Sequence, residues 1–320
     1  MKNLQYPMKT GITRAPEFER KCLATHAINV GLKCGHECAY CPNGALFYTQ
    51  PAFRQFGLTP SSHDYCIVDP TTPERVARDA KRLQKRGLIQ LCAFSDAWAP
   101  ECQSHALGRR CLQAILTEPE WTVRILTKNA SVRDDFELIH RYRDRVRVGI
   151  SITVTPEKGG IMAVLEPYAS TIQERMLALL EARARGLRTY AMLCPLLPGI
   201  ADAPEQIDRL VQFARDIGAE EIFVEPVNAR GNSLKYSQGL LVKAGFVREA
   251  AALAGIRHQS AWSAYVVNLI HKVQQSVRRY SEIARLRLLL YPTRLLPGHI
   301  RQIQQDDAGV VWLGDTDDKE

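Results

Sequence analysis

The stretch that decides the fold is a short cysteine motif near the N-terminus, Cys34-Gly35-His36-Glu37-Cys38-Ala39-Tyr40-Cys41. Its three cysteines have C-x3-C-x2-C spacing and follow the strand-like run Ala27–Val30. Cysteines this close in sequence are typical metal ligands, and four thiolates normally complete the coordination of an iron–sulfur cluster or a structural zinc. No fourth cysteine lies nearby, so the motif leaves one metal position open for chemistry.

A structural zinc is the alternative interpretation of the same thiols, with His36 or the more distant His26 as fourth ligand. Structural zinc sites more often draw their ligands as two pairs separated by a longer spacer. The spacing therefore favours an iron–sulfur cluster. His36 stands between two ligands, and we expect it beside the site or at the surface rather than on the metal.

The composition is that of an ordinary globular chain. Of its 320 residues, 46% are hydrophobic and 24% are charged, which is close to the average for folded domains. The N-terminus lacks the apolar stretch of a signal peptide, and no apolar run is long enough to span a bilayer. Nine cysteines, with three in one motif, fit a reducing compartment better than a disulfide framework. We therefore expect a cytoplasmic protein with no membrane partner.

The formal net charge of +8 permits a nucleic-acid partner without requiring one. The arginines are spread over expected helix faces rather than gathered in one tract. A solvated basic surface explains this pattern as well as a polyanion-binding surface does.

From residue 24 to about residue 225, strand-like runs alternate with amphipathic helical stretches. Strands are expected at Ala27–Val30, Leu88–Phe94, Thr122–Thr127, Val146–Thr153, Leu187–Leu193 and Glu221–Glu225. Helices are expected at Pro73–Arg86, Cys102–Leu116, Val132–Arg141, Ile172–Arg185 and Ala203–Ile217. Repeated β–α units predict an α/β fold with a parallel sheet covered by helices. Periodicity alone leaves two architectures open, a partial barrel and a doubly wound sheet.

The alternation of residues within these strands predicts a polar inner face. In Val146–Thr153 the large apolar residues Val148, Ile150 and Ile152 share one face, and Ser151 lies on the other. The inner-face candidates are Asn29, Cys92, Asp96, Arg124, Lys128, Ser151 and Glu225. This set is too polar for a packed barrel core and predicts a ligand cavity.

The alternating pattern of strands and helices ends after the last β–α unit. We expect an N-terminal segment at residues 1–23, the barrel at residues 24–239, and a C-terminal α/β appendage at residues 240–320. The appendage contains a long helical stretch, Trp262–Leu286, followed by an apolar strand, Leu288–Tyr291. We expect it to pack against the last strands of the barrel.

The cysteine motif, with Tyr40 before its last cysteine, resembles the signature of the radical S-adenosylmethionine (radical SAM) superfamily. In that family three cysteines hold a [4Fe–4S] cluster and SAM chelates the fourth iron. Reductive cleavage of SAM then gives a 5′-deoxyadenosyl radical. The resemblance implies an open, partial (β/α)6 TIM-like barrel and an external one-electron reductant of the flavodoxin or ferredoxin type. The protein's part is to bind and orient these cofactors.

The remaining motifs resemble the spore photoproduct lyase branch, over about residues 24–230. The superfamily's usual Gly-Gly-Glu is absent, and Phe94-Ser95-Asp96-Ala97-Trp98 stands in its place. The motifs that follow are Ile125–Asp134, Val148–Thr153 and Leu165-Glu166-Pro167. The resemblance implies that Ser95 and Asp96 bind the SAM amino group, Lys128 its carboxylate and Ser151 its ribose. Tyr40 and Glu225 are further candidate cofactor-site residues.

One cysteine is a candidate for catalysis by the same resemblance. Spore photoproduct lyase uses a cysteine near this strand end as hydrogen-atom donor, and Cys92 is the corresponding candidate here. Its offset from Ser95 and Asp96 differs by one residue from that of the lyase. On a strand, such a shift points a side chain to the opposite face.

The function expected from these features is radical SAM chemistry, with nucleic acid as the substrate class that the resemblance implies. The lyase's nucleic-acid-contacting C-terminal features have no match in residues 240–320. The resemblance therefore supports the radical chemistry more strongly than it supports a nucleic-acid substrate. A modifier of peptides or small metabolites is the second hypothesis, although no further close-spaced cysteine group follows Cys111. A zinc-stabilised binding protein with a basic surface is the third.

Overall fold

The computed structural model of the chain describes residues 1–46, 49–92, 94–229 and 232–314. Its strands are β1 Lys2–Gln5, β2 Thr13–Arg14, β3 His26–Ile28, β4 Gly31–Lys33, β5 Tyr65–Val68, β6 Leu88–Leu91, β7 Thr122–Thr127, β8 Val146–Ile150, β9 Arg188–Thr189, β10 Ala191–Leu196, β11 Ile222–Pro226, β12 Leu286–Leu290 and β13 Val310–Trp312.

The α-helices are α1 Pro16–Arg20, α2 Asn43–Leu46, α3 Pro51–Gln55, α4 Thr72–Arg82, α5 Pro100–Gln103, α6 Leu107–Leu116, α7 Phe136–Arg141, α8 Gly159–Leu165, α9 Ile172–Ala184, α10 Pro204–Asp216, α11 Ser233–Lys243, α12 Val247–Gly255, α13 Gln259–Tyr280 and α14 Pro297–Gln304. Short 3-10 helices lie at Ala130–Asp135, Pro156–Lys158, Ile283–Arg285 and Pro292–Arg294. Across the described ranges, no helix has both the length and the apolar character needed to cross a membrane.

Two sets of strands form the main sheet. The first has the order β2-β3-β6-β7-β8-β9, parallel except for β2, and the second is the parallel set β10-β11-β12-β13. A bridge between Ser151 and Met192 connects them. Within the described part of the chain the sheet does not close into a complete barrel. The expected α/β class and open, partial barrel are confirmed.

Several element boundaries differ from the sequence expectation. β6 ends at Leu91, and Ala93 of the expected strand lies outside the described residues. The expected helix Cys102–Leu116 is divided between α5 and α6, because Ala106 has a left-handed backbone with φ of +47°. The first half of the expected Val132–Arg141 helix is a 3-10 helix.

The inner face of the sheet is partly packed, which corrects the expectation for Arg124. The Arg124 side chain is 2% exposed and forms an ion pair with Glu221 at 2.5 Å. Its guanidinium carbon lies 4.8 Å from the ring centre of Tyr190 and 4.9 Å from that of Phe223. Aromatic faces and a carboxylate together stabilise a desolvated cation. Arg124 therefore belongs to a packed layer of the inner face, and the polar groups free for a ligand lie nearer the carboxyl ends of the strands.

A small second sheet supports the cysteine motif. β5 pairs in parallel with β1 and antiparallel with β4. Its apolar core contains Leu32, Phe53, Tyr65 and Ile67. Because β4 ends at Lys33, this sheet fixes the point at which the cysteine loop begins.

The C-terminal region extends the main sheet. β12 pairs in parallel with β11, and β13 pairs in parallel with β12. Helix α13 packs on α10 of the preceding unit. The predicted boundary between residues 239 and 240 stays a prediction, but residues beyond it supply strands to the same sheet as the residues before it.

Candidate cofactor site

Three cysteine side chains face one cavity at the carboxyl ends of the first strands. Cys34, Cys38 and Cys41 line this cavity, which has a volume of about 240 Å³, and all three are half-buried free thiols. Its outer wall comes from the segment after α3 and from the start of α11. There the rings of His63 and Tyr236 stack at 3.8 Å.

The chemistry of these three donors fits an iron–sulfur cluster. Burial raises the pKa of the Cys34, Cys38 and Cys41 thiols, so they need a bound cationic group to become thiolates. Cysteine thiolates are the usual ligands of such clusters, one to each iron. In the described residues, no group of three or more His, Cys, Asp or Glu side chains is arranged to hold a metal ion. The fit therefore rests on the donor type and on the shared cavity.

His36 is held inside the cysteine loop by two hydrogen bonds. Its Nε2 lies 2.8 Å from Oδ2 of Asp96, and its Nδ1 lies 3.2 Å from the carbonyl oxygen of Tyr168. Burial would lower the pKa of His36, but the carboxylate of Asp96 outweighs this effect and raises it. His36 is 1% exposed. It is thus a buried neighbour of the predicted ligands rather than a surface residue.

Glu166 is the centre of a buried charge network beside the cysteines. Its carboxylate accepts hydrogen bonds from the Tyr40 hydroxyl and the Arg175 guanidinium, and the Lys128 ammonium lies 3.3 Å away. Burial would raise the pKa of Glu166, but Lys128 and Arg175 lower it to about 2. The network fixes Tyr40, which stands between two of the cysteines, relative to the end of β7.

This network predicts an acid dependence of stability. The folded pKa of Glu166 is about 2 and its ordinary value is 4.5, so the carboxylate's contribution is complete above about pH 4.5 and is lost as the pH falls through about 2. We expect the difference in unfolding free energy between wild type and Glu166→Gln to stay constant from pH 7 to pH 5. It should shrink between pH 4.5 and pH 2, as followed by urea denaturation. A difference that does not change down to pH 2.5 would contradict this assignment.

Lys128 and Ser151, both expected on the inner face, lie in contact with each other. The Lys128 ammonium donates to the Ser151 hydroxyl at 2.7 Å, and this hydroxyl donates to the carbonyl oxygen of Cys194 at 2.9 Å. Lys128 also lies 5.7 Å from the ring centre of Tyr40. Three residues assigned to the cofactor therefore form one contact group.

Asp96 and Ser95 lie in the loop after β6. The Ser95 hydroxyl accepts the backbone N–H of Val30 at 3.1 Å. Asp96 is 5% exposed, and both of its carboxylate oxygens accept hydrogen bonds from protein donors. Direct SAM binding by these two residues stays a prediction.

The structure does not place Cys92 on the inner face, where the sequence pattern put it. Cys92 is 1% exposed within the main apolar core, and burial raises the pKa of its thiol to about 12. Gln90, in register with the inward-pointing Arg124, keeps the inner-face position, and its Nε2 donates to the carbonyl oxygen of Cys92 at 3.3 Å. Because β6 ends at Leu91, the strand alternation does not extend to Cys92. The placement gives no support to a hydrogen-donor role.

Glu225 lies apart from the cysteine cavity. It is the penultimate residue of β11 and lines a second, small cavity with Trp262, Tyr291 and Arg294 of the C-terminal region. Burial raises the pKa of Glu225, opposed by the charge of Lys21. Among the described residues, no hydrogen bond or ion pair joins Glu225 to Lys128, Ser151 or Tyr40, so its cofactor role stays a prediction.

The sequence pattern did not predict the buried ion pair between Glu166 and Arg175. Glu166 was visible only as part of a motif, and Arg175 lies on α9, where an arginine normally indicates a solvated helix face. The available signal was the capping box of Thr171 and Glu174. This box fixes the start of α9, and Arg175 lies buried in the first turns after it.

A sequence profile of the radical SAM superfamily matches residues 28–214. The matched region is more than half of the chain and contains the cysteine motif, Lys128, Ser151 and Glu166. The chain therefore belongs to the radical SAM superfamily, a family of enzymes that use SAM and an iron–sulfur cluster.

Similar proteins, themselves uncharacterized, occur in a virus, in a bacterium and in an archaeon. A protein of Acidianus two-tailed virus is 23% identical over 225 residues, which cover 67% of this chain and 71% of the viral protein. A protein of Mycobacterium tuberculosis is 24% identical over 65% of this chain and 60% of its own length. A protein of Methanocaldococcus jannaschii is 25% identical over 56% of this chain and 63% of its own length.

Solved structures of spore photoproduct lyase share the fold. A tyrosine variant of that lyase superimposes with a TM-score of 0.56 at 13% identity, over 87% of this chain and 79% of the lyase. A cysteine-to-serine variant gives 0.53 at 17% identity, and the lyase bound to a dinucleoside spore photoproduct gives 0.50 at 14%. Both of these matches cover 75% of this chain and 66% of the lyase. The fold is that of the spore photoproduct lyase-like branch.

Proposed function

We propose that this chain cleaves SAM reductively at a [4Fe–4S] cluster held by Cys34, Cys38 and Cys41 and directs the resulting radical at a nucleic acid. When bound, the cluster and SAM supply electron transfer and the 5′-deoxyadenosyl radical. The observation that carries the proposal is the shared cavity of the three thiols, next to the network that holds Lys128 and Tyr40.

Lys128 has the capacity to bind the SAM carboxylate. A lysine ammonium is a compact cation with three N–H donors, and in the structure Ser151 and Glu166 engage it from two sides. One donor therefore remains for a ligand. The Ser151 hydroxyl can both donate and accept, as contact with a ribose hydroxyl requires.

Lys128→Ala is expected to weaken SAM binding about tenfold or more, since a charge-assisted hydrogen bond contributes about 1.5–3 kcal/mol. Glu166 keeps its contacts with Arg175 and Tyr40, so iron content and the reduced EPR spectrum should match wild type. Isothermal titration of SAM into the anaerobically reconstituted protein measures the loss. Lys81→Ala, at an exposed position on α4, is the matched control. Equal SAM affinity in the Lys128 and Lys81 variants would refute the assigned role.

The first experiment is anaerobic reconstitution with iron and sulfide, followed by reduction and an assay for 5′-deoxyadenosine with and without SAM. A flavodoxin or ferredoxin is the expected physiological donor, and dithionite replaces it in the assay. A [4Fe–4S]⁺ EPR signal that changes on SAM addition, together with 5′-deoxyadenosine, supports the proposal. A protein that reconstitutes no cluster would overturn it.

Two observations support nucleic acid as the substrate class. The net charge is +8, and a lyase of similar fold has been solved with a dinucleoside photoproduct. Binding of single-stranded and duplex oligonucleotides, measured at about 50 and 200 mM salt, tests this substrate class, because counterion release makes nucleic-acid affinity fall steeply with salt. No oligonucleotide binding at either salt concentration would exclude this class. A peptide or small-metabolite substrate would then take its place.

A further inference from the structure

Asp96 is the most heavily engaged acceptor beside the cysteine loop. Its Oδ2 accepts from His36 at 2.8 Å and from the backbone N–H of Lys128 at 2.8 Å. Its Oδ1 accepts the backbone N–H of Trp98 at 2.9 Å. The Thr127 hydroxyl lies 2.9 Å from Oδ1 and 2.8 Å from Oδ2.

These contacts use the whole acceptor capacity of the carboxylate. An ionised carboxylate offers about four lone-pair sites, and His36, Trp98, Thr127 and Lys128 supply four donors. A SAM ammonium would have to displace one of these donors inside a site where Asp96 is 5% exposed. Losing a hydrogen bond to a buried charged group costs about 1.5–3 kcal/mol.

The partners of Asp96 belong to separate segments that meet at the site. His36 lies between two predicted cluster ligands. Lys128, the predicted contact of the SAM carboxylate, directly follows β7. One carboxylate thus connects the loop that would hold the cluster with the strand end that would hold SAM.

Glu101 adds a second contact from the same connection after β6. Its Oε1 accepts the backbone N–H of Gly35 at 2.8 Å. A Cβ at position 35 would lie 2.5 Å from Oε2 of Glu101, so a larger residue there would displace the Glu101 carboxylate. Asp96 and Glu101 therefore hold two consecutive residues of the cysteine loop.

We propose that Asp96 is a positioning residue: it fixes the cysteine loop relative to Lys128 through His36 and the backbone, and it does not bind SAM itself. The inference rests on the proposed function, because the position of the cysteine loop relative to Lys128 matters only if the loop holds the cluster and Lys128 binds SAM. Small displacements of a bound reactant reduce rates strongly.

Asp96→Asn is the test, since it keeps the size of the side chain and replaces one acceptor oxygen by an NH2 group that faces N–H donors. For the protein without cluster or SAM, we expect Tm to fall by about 5 °C or more. After reconstitution, the EPR spectrum of the reduced cluster should differ from wild type even without SAM. A direct SAM ligand behaves differently: unchanged Tm and unchanged SAM-free spectrum, with only SAM affinity lost, would overturn the proposal.

Asp135→Asn is the matched control for general destabilisation. Asp135 is also buried, and it accepts from Trp98 Nε1 at 2.8 Å and Arg109 Nε at 2.6 Å. It thus contacts the same connection after β6. Its loss should lower Tm but leave the SAM-free EPR spectrum as in wild type. A spectral change as large as that of Asp96→Asn would show that the effect is general destabilisation and would refute positioning.

A pair of His36 variants keeps the test decisive if Asp96→Asn does not fold. His36→Gln can place an amide N–H where Nε2–H stands and should retain the wild-type spectrum, whereas His36→Phe cannot donate and should change it. Identical spectra for the two variants would contradict the proposal. The Tm measurement needs neither SAM nor cluster, so absence of 5′-deoxyadenosine in wild type would count against the proposed function alone.

Discussion

Replacing Cys38 by alanine is expected to remove the iron–sulfur cluster and all SAM cleavage. Three thiols line the cavity, and a cluster that keeps one iron for SAM has no spare protein ligand to lose. Iron and sulfide content after anaerobic reconstitution should fall to background, with no reduced EPR signal. The formation of 5′-deoxyadenosine should fall by at least about a thousandfold, the equivalent of about 4 kcal/mol in the barrier.

Cys22→Ala is the control for this loss, because Cys22 is an exposed free thiol outside the cysteine motif. It should bind iron and cleave SAM as wild type does. Full activity in Cys38→Ala would show that these thiols do not hold the catalytic metal.

Glu166→Gln is expected to destabilise the fold by about 3–5 kcal/mol, because removing one partner of a buried ion pair leaves the other charge uncompensated. The Arg175 and Glu166 side chains are 1% and 0% exposed, and Lys128 loses a carboxylate at 3.3 Å. Tyr40 also loses its anchor, so cluster content should fall together with stability. Urea denaturation of the cluster-free protein measures the first effect.

Glu137→Gln provides the exposed comparison. Glu137 pairs with Arg141 on the surface of α7, with its side chain 80% exposed, and such pairs contribute at most about 0.5 kcal/mol. A second comparison replaces the buried pair as a whole. Glu166→Leu with Arg175→Met should be less damaging than Glu166→Gln alone. If Glu166→Gln cost no more than Glu137→Gln, the buried network would not support the fold.

The sequence predicted the parts of the site that depend on local pattern. Residues at the carboxyl ends of parallel strands meet at one edge of the sheet. Lys128 and Ser151 were both expected on the inner face, and in the structure they lie within hydrogen-bonding distance of each other. Glu166 and Arg175 could not be paired in this way. They come from the connection between β8 and β9, where no periodicity specifies which side chains meet.

The errors also have physical causes. Alternation assigns a face only while a strand continues, and β6 ends before Cys92. Arg124 does point inwards, but the sequence could not show that Tyr190 and Phe223 would enclose it. Whether a polar inner residue meets a ligand or another side chain depends on neighbours that are distant along the chain.

The pairing of β12 with β11 limits how this protein can be shortened or recombined. A chain ending near residue 239 would leave the backbone donors and acceptors of β11 without the partner strand that now covers them, and bare strand edges recruit other chains. Helix α10 would also lose the apolar cover provided by α13. Substitutions in the last quarter of the sequence must therefore preserve a parallel neighbour for β11 if this strand edge is to stay covered.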